Sequence, residues 1–441
     1  MKMNREILRL AVPNIVSNVT VPLMGIVSTA IAGHLGTDAA ASIGALAIGA
    51  SIFNFIYWNC SFVRMGTSGL TAQACGAGDD AECTRMLIRA LTVGAVLGAA
   101  LLLLQYPLGE AALWAMNGDE LTRAYFYARI WAVPAGILLF AFNGWFTGMQ
   151  NAVIPMATAL TVNLIHIGAS FAFAFGLDLG IVGIAYASVV AQYAGVALAA
   201  LLLFVRYRHR LVRVARREVL DSRALVDFFR INRDILLRTL CIVAVYTFFT
   251  GASARMEETN LLAVNTLLMQ LFTLFSYMND GFAYAAEALT GRFIGARDTE
   301  RLRRCIGRCL VWSAAIALLF VAGYLAGWRE LLSLFVDRSN AEAEQILALA
   351  GRYVAWVVLI PLCCAVPFVL DGIMIGATES RIMRNSMFLA TVAFFLLYFG
   401  GYPLFGNDAL WAAFLGYMLL RGLFQYVMTD RLRSLYAKSG R

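Results

Sequence analysis

Lysine is nearly missing from this sequence: of 35 basic residues in 441, only Lys2 and Lys438 are lysines, and charged residues of both signs make up just 14% of the chain. Soluble domains carry about 25% charged residues on a polar skin, so a chain so poor in charge is neither a cytosolic enzyme nor an extracellular disulfide scaffold. No C-x-x-C pair occurs, and the three histidines, His34, His166 and His209, are far apart. That leaves no metal-ligand spacing, and the eight cysteines read as small hydrophobes. A G-x-x-x-x-G-K-[ST] segment is also missing, which removes the phosphate-cradling loop of an ATP-driven machine. The absence of a D-x-D pair and of any histidine-plus-acid spacing argues against a polytopic membrane enzyme.

What fills the chain is 61% hydrophobic. A membrane span needs about 20 apolar residues to cross about 30 Å of hydrocarbon. By that ruler the sequence divides into twelve stretches, the first over 7–33 and the last over 408–430. The net charge of +8 is read as lipid-directed rather than as a nucleic-acid footprint, because the arginines are expected in short loops facing anionic headgroups. With the N-terminus cytoplasmic, the inner segments carry Arg5, Arg9, Arg85, the run from Arg206 to Arg233, Arg292 to Arg304, Arg381, Arg384, Arg431 and Arg433. Opposite them fall Asp38, Glu110, Asp119, Glu120, Asp178, Glu257, Glu258, Glu330, Asp337, Glu342, Glu344 and Asp408. Both termini are therefore expected in the cytoplasm, with the chain crossing the membrane many times.

The longest polar linker divides the spans six and six: a first bundle over 1–206, a basic cytoplasmic linker over 207–233 and a second bundle over 234–441. Internal repetition supports the division. TAQACGAGD (71–79), followed by Arg85 and Arg89, recurs as TGRFIGARD (290–298), followed by Arg304 and Arg308. NGWFTGMQ (143–150) matches DGIMIGAT (371–378), pairing Gly144 with Gly372 and Gly148 with Gly376, and NREIL (4–8) recurs as NRDIL (232–236). An even number of spans per half makes these parallel repeats, with substrate expected between them and alternating access by rocking of one bundle against the other.

Six ordered blocks carry a family resemblance: VPLMGIVSTAIAGHLG (21–36), RMGTSGLTAQACGAGD (64–79), NRDILLRTL (232–240), DGFAYAAEALTGRFIGARD (280–298), LDGIMIGATESRIMRNSM (370–387) and ALWAAFLGYMLLRGL (409–423). In these the sequence resembles the multidrug and toxic compound extrusion (MATE) family, in its DNA-damage-inducible-F-like branch. The resemblance implies an all-α polytopic fold of twelve transmembrane helices in two six-helix bundles, exporting organic compounds against entry of protons or sodium ions. It also implies a first-bundle cation site at the positions of Ser28, His166, Ser170 and Ser188, where the family's acids are absent from this chain.

An intramembrane carboxylate is costly unless protonated, paired or wet, which makes it a functional candidate by default. The second half keeps such groups. Tyr277, Asp280, Tyr284 and Glu287 recur at spacings of three, four and three along one helix face, and Asp371 lies between Pro367 and the small Gly372. Asp371, Asp280 and Glu287 are the cation-coupling candidates, with His166 as a titratable group where the first half lost its acids. Glu287 has a plainer alternative role, pairing with Arg292. Asn18, Asn54, Asn143, Asn163, Tyr277 and Tyr284 are the candidate substrate-cavity residues, against the plainer role of interhelical hydrogen bonding.

The function expected is a secondary active, cation-coupled antiporter, acting as a monomer on small organic substrates, with membrane lipids as its surroundings and no cofactor beyond a proton or sodium ion. The alternatives are a lipid-linked precursor flippase of the same wider superfamily, which needs a strongly cationic interior, and a polytopic membrane enzyme.

Overall fold

A computed structural model describes residues 2–35, 39–219, 221–256, 260–335 and 341–429. Asp38, Glu257, Glu258, Asp337, Arg431, Arg433 and Lys438 lie outside the described residues, as does the side chain of Glu342. Twelve helices are long and apolar enough to span a membrane. In chain order they are α1 (Lys2–Gly33), α2 (Ala39–Ala77), α3 (Asp80–Leu103), α4 (Glu120–Gly148), α5 (Val153–Gly176), α6 (Gly180–Tyr207), α7 (Val226–Ala254), α8 (Leu261–Gly295), α9 (Thr299–Leu332), α10 (Glu344–Gly376), α11 (Ser380–Phe405) and α12 (Asn407–Met428). The protein is all-α among its described residues, and its outward faces are apolar: Leu164 and Leu396 are each 70% exposed, which suits hydrocarbon and not water.

The helices form two compact units, Val12–Asn232 and Arg233–Arg441, the latter including Met1–Ala11. The start of α1 thus packs with the second set of helices, where the Glu6 carboxylate meets Arg292 at 3.5 Å. The segment after α6 is partly helical, with a short turn at Arg216–Val219 and a helix starting at Ser222. It is strapped to the N-terminal end of α3. Arg89, 2% exposed, donates to the carbonyls of Val219 (2.9 Å) and Glu218 (2.6 Å), and Arg210 donates to Asp80 (2.9 Å). That carboxylate holds the Arg210 guanidinium above its ordinary value, so the strap stays charged.

The internal repeat has a physical basis in its turns. Gly78 (φ 74°) and Arg297 (φ 55°) end the two TxxxxGAxD blocks in left-handed conformation. In each, the following aspartate amide returns to the carbonyl five residues earlier, Asp79 to Ala74 (3.0 Å) and Asp298 to Phe293 (2.9 Å). This is the paired-bond arrangement that closes a helix C-terminus. The aspartate side chains then cap the next helices, Asp79 accepting from the Glu82 amide (2.8 Å) and Asp298 from the Arg301 amide (2.9 Å). The second repeated pair behaves alike. Gln150 (φ 62°) and Thr378 (φ 58°) make the turns, and Asn151 and Glu379 bond back to Phe146 and Met374, each at 2.9 Å.

Equivalent glycines in these blocks set the closest helix crossings. A Cβ on Gly144 would overlap the Arg64 carbonyl on α2, and one on Gly372 would overlap the Ala283 carbonyl on α8. One turn on, Gly148 faces the Ser68 carbonyl and Gly376 the Glu287 carbonyl. Small residues four apart let backbones approach where lipid gives no hydrophobic drive between helices.

Candidate functional site

Polar groups collect inside each unit. In the first, α5 presents His166 (4% exposed) and Ser170 (0% exposed) one turn apart. His166 Nε2 lies 3.0 Å from Ser188 Oγ on α6, and the Ser188 hydroxyl donates to the Ile184 carbonyl (3.3 Å). With that hydroxyl proton committed, Nε2 is the donor, and the buried Nδ1 has no partner. The Ser170 hydroxyl is likewise buried without a partner. Ser28 on α1 is 9% exposed.

Arg129 enters the same interior from α4. Its guanidinium donates to the Tyr125 hydroxyl (2.5 Å) and lies over the Phe53 ring at 4.8 Å, and its charge acts on both His166 and Tyr57. Among the described residues no carboxylate lies in ion-pair range of Arg129. Those of this unit are engaged at its ends, Asp79, Asp80, Glu82 and Glu218 with Arg85, Arg89 and Arg210, and Glu110 and Glu120 with Arg123. The first unit has therefore exchanged the acids that the family resemblance implied for a cation.

The second unit holds a charged knot at Asp371 on α10. Its Oδ2 accepts from both Arg238 on α7 and Arg421 on α12, and its Oδ1 from Gln425 Nε2 at 2.5 Å. All four are buried, at 7, 6, 4 and 0% exposure for Arg238, Asp371, Arg421 and Gln425. Arg421 also lies over the Phe368 ring at 5.3 Å. Closer to the start of α7, Asp234 (0% exposed) accepts from Arg384 (2.6 Å) and Ser380 (3.1 Å). Along α8, Glu287 is 1% exposed while Tyr277, Asp280 and Tyr284 are half-buried. Arg292, the partner of Glu287 in the plainer expectation, lies 3.5 Å from Glu6.

Of the expected cavity residues, Asn18, Asn143 and Asn163 are half-buried and Asn54 is exposed. Near the opposite end of the second unit from Asp234, Asn265 (1% exposed) donates to Ser253 Oγ (2.8 Å) and Asn407 Oδ1 (2.7 Å) and accepts from Trp411 (2.9 Å). No group of three or more histidine, cysteine, aspartate or glutamate side chains that could hold a metal occurs among the described residues.

One expectation is corrected. The arginines do not keep to the loops: Arg129, Arg238 and Arg421 lie within apolar spans, and with Gln425 they were missed as site residues. The signal was available, because an arginine inside an apolar run is as costly as a carboxylate and marks a functional interior by the same reasoning.

The MatE family model matches residues 13–172 and 235–399 of the chain. The DNA damage-inducible protein F of Escherichia coli (strain K12) is 36% identical over 427 residues, covering 95% of this chain and 90% of that protein. Among solved structures, an outward-facing multidrug resistance MATE family transporter of the MOP superfamily superposes with a TM-score of 0.82 at 19% identity, over 99% of this chain and 97% of that one. A MOP superfamily transporter from Pyrococcus furiosus, described as having a binding pocket of reverse polarity that suggests a different function, superposes with a TM-score of 0.83 at 19% identity, over the same shares.

Proposed function

From the premise that the chain belongs to the MatE family, we propose that it is a cation-coupled antiporter that exports small organic compounds by alternating access, working as a monomer among membrane lipids. It is a multi-pass membrane protein of twelve spans and a transporter, which sets the enzyme alternative aside. The proposed site is the inner membrane of a bacterium, with both termini and the 207–221 strap in the cytoplasm.

The observation that carries the coupling reading is the distribution of intramembrane acids. Among the described residues, the interior of the first unit offers none, and the second offers Asp280, Glu287 and Asp371 besides Asp234, which is held by Arg384 and Ser380. Coupling needs a group whose charge is met alternately by a cation and by another partner. Asp371 is met by two guanidiniums and a glutamine, so a proton or sodium ion there has to displace arginine. Half-buried Asp280 is the better loading site, with Glu287 about two turns further along the same helix face. His166 has a cation for a neighbour and is the weaker coupling group.

The test is dye efflux from proteoliposomes under an imposed proton or sodium gradient. Asp280→Asn should abolish gradient-driven movement with the unfolding temperature unchanged. Equal efflux by Asp280→Asn and the native protein would remove Asp280 from the mechanism. The flippase alternative gains from the interior arginines, and transfer of a lipid-linked pyrophosphate in the same vesicles distinguishes it. That a protein of this fold is described with a pocket of reversed polarity supports taking substrate charge from the chain's own residues.

A further inference from the structure

We infer that the interior of the first unit is a binding site for an anionic group, a carboxylate, phosphate or sulfonate, held by Arg129 with Ser170 and His166 beside it. This rests on the transporter reading and specifies the charge of what is bound.

Direction is the first argument. Arg129 ends the 10-residue helical segment Glu120–Arg129, where the apolar part of α4 begins. A long side chain near a span end can reach the headgroups, yet this guanidinium turns inward to Tyr125 and Phe53. An arginine here is retained only where something compensates it, and a phenol and a ring face are partial compensation.

The second argument is unused bonding capacity. Arg129 Nε is buried without an acceptor, and so are the Ser170 hydroxyl and His166 Nδ1. The two α5 side chains are at least 96% buried, the pair having 0 and 4% exposure. Arg129 itself is half-buried and so open to a ligand. An oxyanion suits such a set, because guanidinium N–H groups bond two of its oxygens at once and the charge pairing is strong in a dry interior. His166 Nδ1, as an acceptor, then favours a ligand that also carries a hydroxyl or N–H near its acid group.

The backbone makes the third. Immediately after Arg129 the helix tightens to a 3₁₀ turn at Ile130–Ala132 before resuming at Val133. Such a mid-helix change marks an element under strain or a hinge, and here it falls at the charged residue.

Two sources can supply the anion, a water-soluble organic acid or a lipid headgroup, and the test separates them. The full-length protein in phosphatidylcholine nanodiscs, with no ion gradient, is titrated calorimetrically with benzoate, phenylphosphate and benzylamine, which share an aromatic body and differ in charge. The anions should bind and benzylamine should not. Arg129→Gln should weaken anion binding at least tenfold, and Arg129→Lys should recover part of it. Arg123→Gln, on the same helix but outside the interior, should bind as the native protein does. If Arg129→Gln does not fold, Ser170→Ala at a native unfolding temperature serves, with a smaller loss expected. Phosphatidylglycerol in the disc that suppresses benzoate binding through Arg129 identifies the headgroup as occupant, whereas indifference to it identifies the soluble acid. Benzylamine binding as well as benzoate, or anion binding unchanged in both Arg129→Gln and Ser170→Ala, would overturn the site. Binding without gradient-driven transport would sink the coupling reading and leave this one standing.

Discussion

Replacing Asp371 with asparagine keeps the shape and one acceptor while removing the negative charge that bonds both Arg238 and Arg421. The two guanidiniums share a single oxygen, Oδ2, so they lie about 4–5 Å apart, and at an effective dielectric of about 20 their repulsion is roughly 3–4 kcal/mol once the negative charge is gone. Removing one partner of a buried ion pair costs about 3–5 kcal/mol in measured cases, in agreement. For a unit of this size each kcal/mol lowers the unfolding midpoint by about 2–4 °C, so Asp371→Asn should unfold roughly 6–20 °C below the native protein. The assay is built in, because Cys305, Cys309 and Cys364 are free and buried, and a thiol-reactive fluorophore reports their exposure on heating in detergent. The triple variant Arg238→Met, Asp371→Leu, Arg421→Met should recover most of the loss, since apolar replacement of a whole buried ion cluster is often neutral or stabilising. An Asp371→Asn protein that unfolds within about 2 °C of the native one would refute the picture of a carboxylate held ionised between two arginines. Loss of transport by Asp371→Asn alone is therefore no evidence of cation binding there, which is why Asp280 carries the coupling test.

Gly372→Ala and Gly144→Ala each drive a methyl into a neighbouring backbone carbonyl and should cost about 1–3 kcal/mol or more; Gly168→Ala, with open space around it, should be neutral or gain up to about 1 kcal/mol in helix propensity, all read as unfolding temperatures. Arg89→Ala leaves the Glu218 and Val219 carbonyls without their buried donor, a local loss of about 1–3 kcal/mol, and should speed tryptic cleavage at Arg213 and Arg217 about tenfold while Arg123→Ala does not. A cysteine at exposed Arg213 should be shielded from an impermeant thiol reagent in intact cells and one at exposed Asn117 labelled; labelling at Arg213 would reverse the assigned orientation.

Span number and repeat were legible because both depend on local chemistry. Twenty apolar residues have few other uses, and the TxxxxGAxD blocks need a residue tolerant of positive φ followed by a side chain that caps. Span ends were less legible. The hydropathy ruler stopped the second stretch near 64, yet α2 runs to Ala77, because Thr67, Ser68 and Thr71, each 0% exposed, turn into the protein rather than toward lipid. A ruler for hydrocarbon thickness cannot see a helix whose polar face is covered by its own neighbours. Nor does any local signal say that residues 1–11 pack with the second unit, since that rests on a contact between Glu6 and Arg292 across most of the chain.

The interior charges show a different limit. By composition alone, acids in apolar runs read as functional and arginines as headgroup partners, because most arginines of the chain fall between or at the ends of apolar runs. Both carry the same desolvation cost at depth, and position along the span decides between them: Arg421 stands well inside the 22-residue helix Asn407–Met428, and Arg238 lies 12 residues into the 29-residue span Val226–Ala254. Both are buried in the protein, at 7% exposure for Arg238 and 4% for Arg421, rather than turned out to the interface. Each therefore needs an internal counter-charge, and Asp371 is that charge in the second unit. In the first unit Arg129 turns inward to Tyr125 and Phe53 with no described acid in ion-pair range, and that missing counter-charge is what the proposed anion would supply.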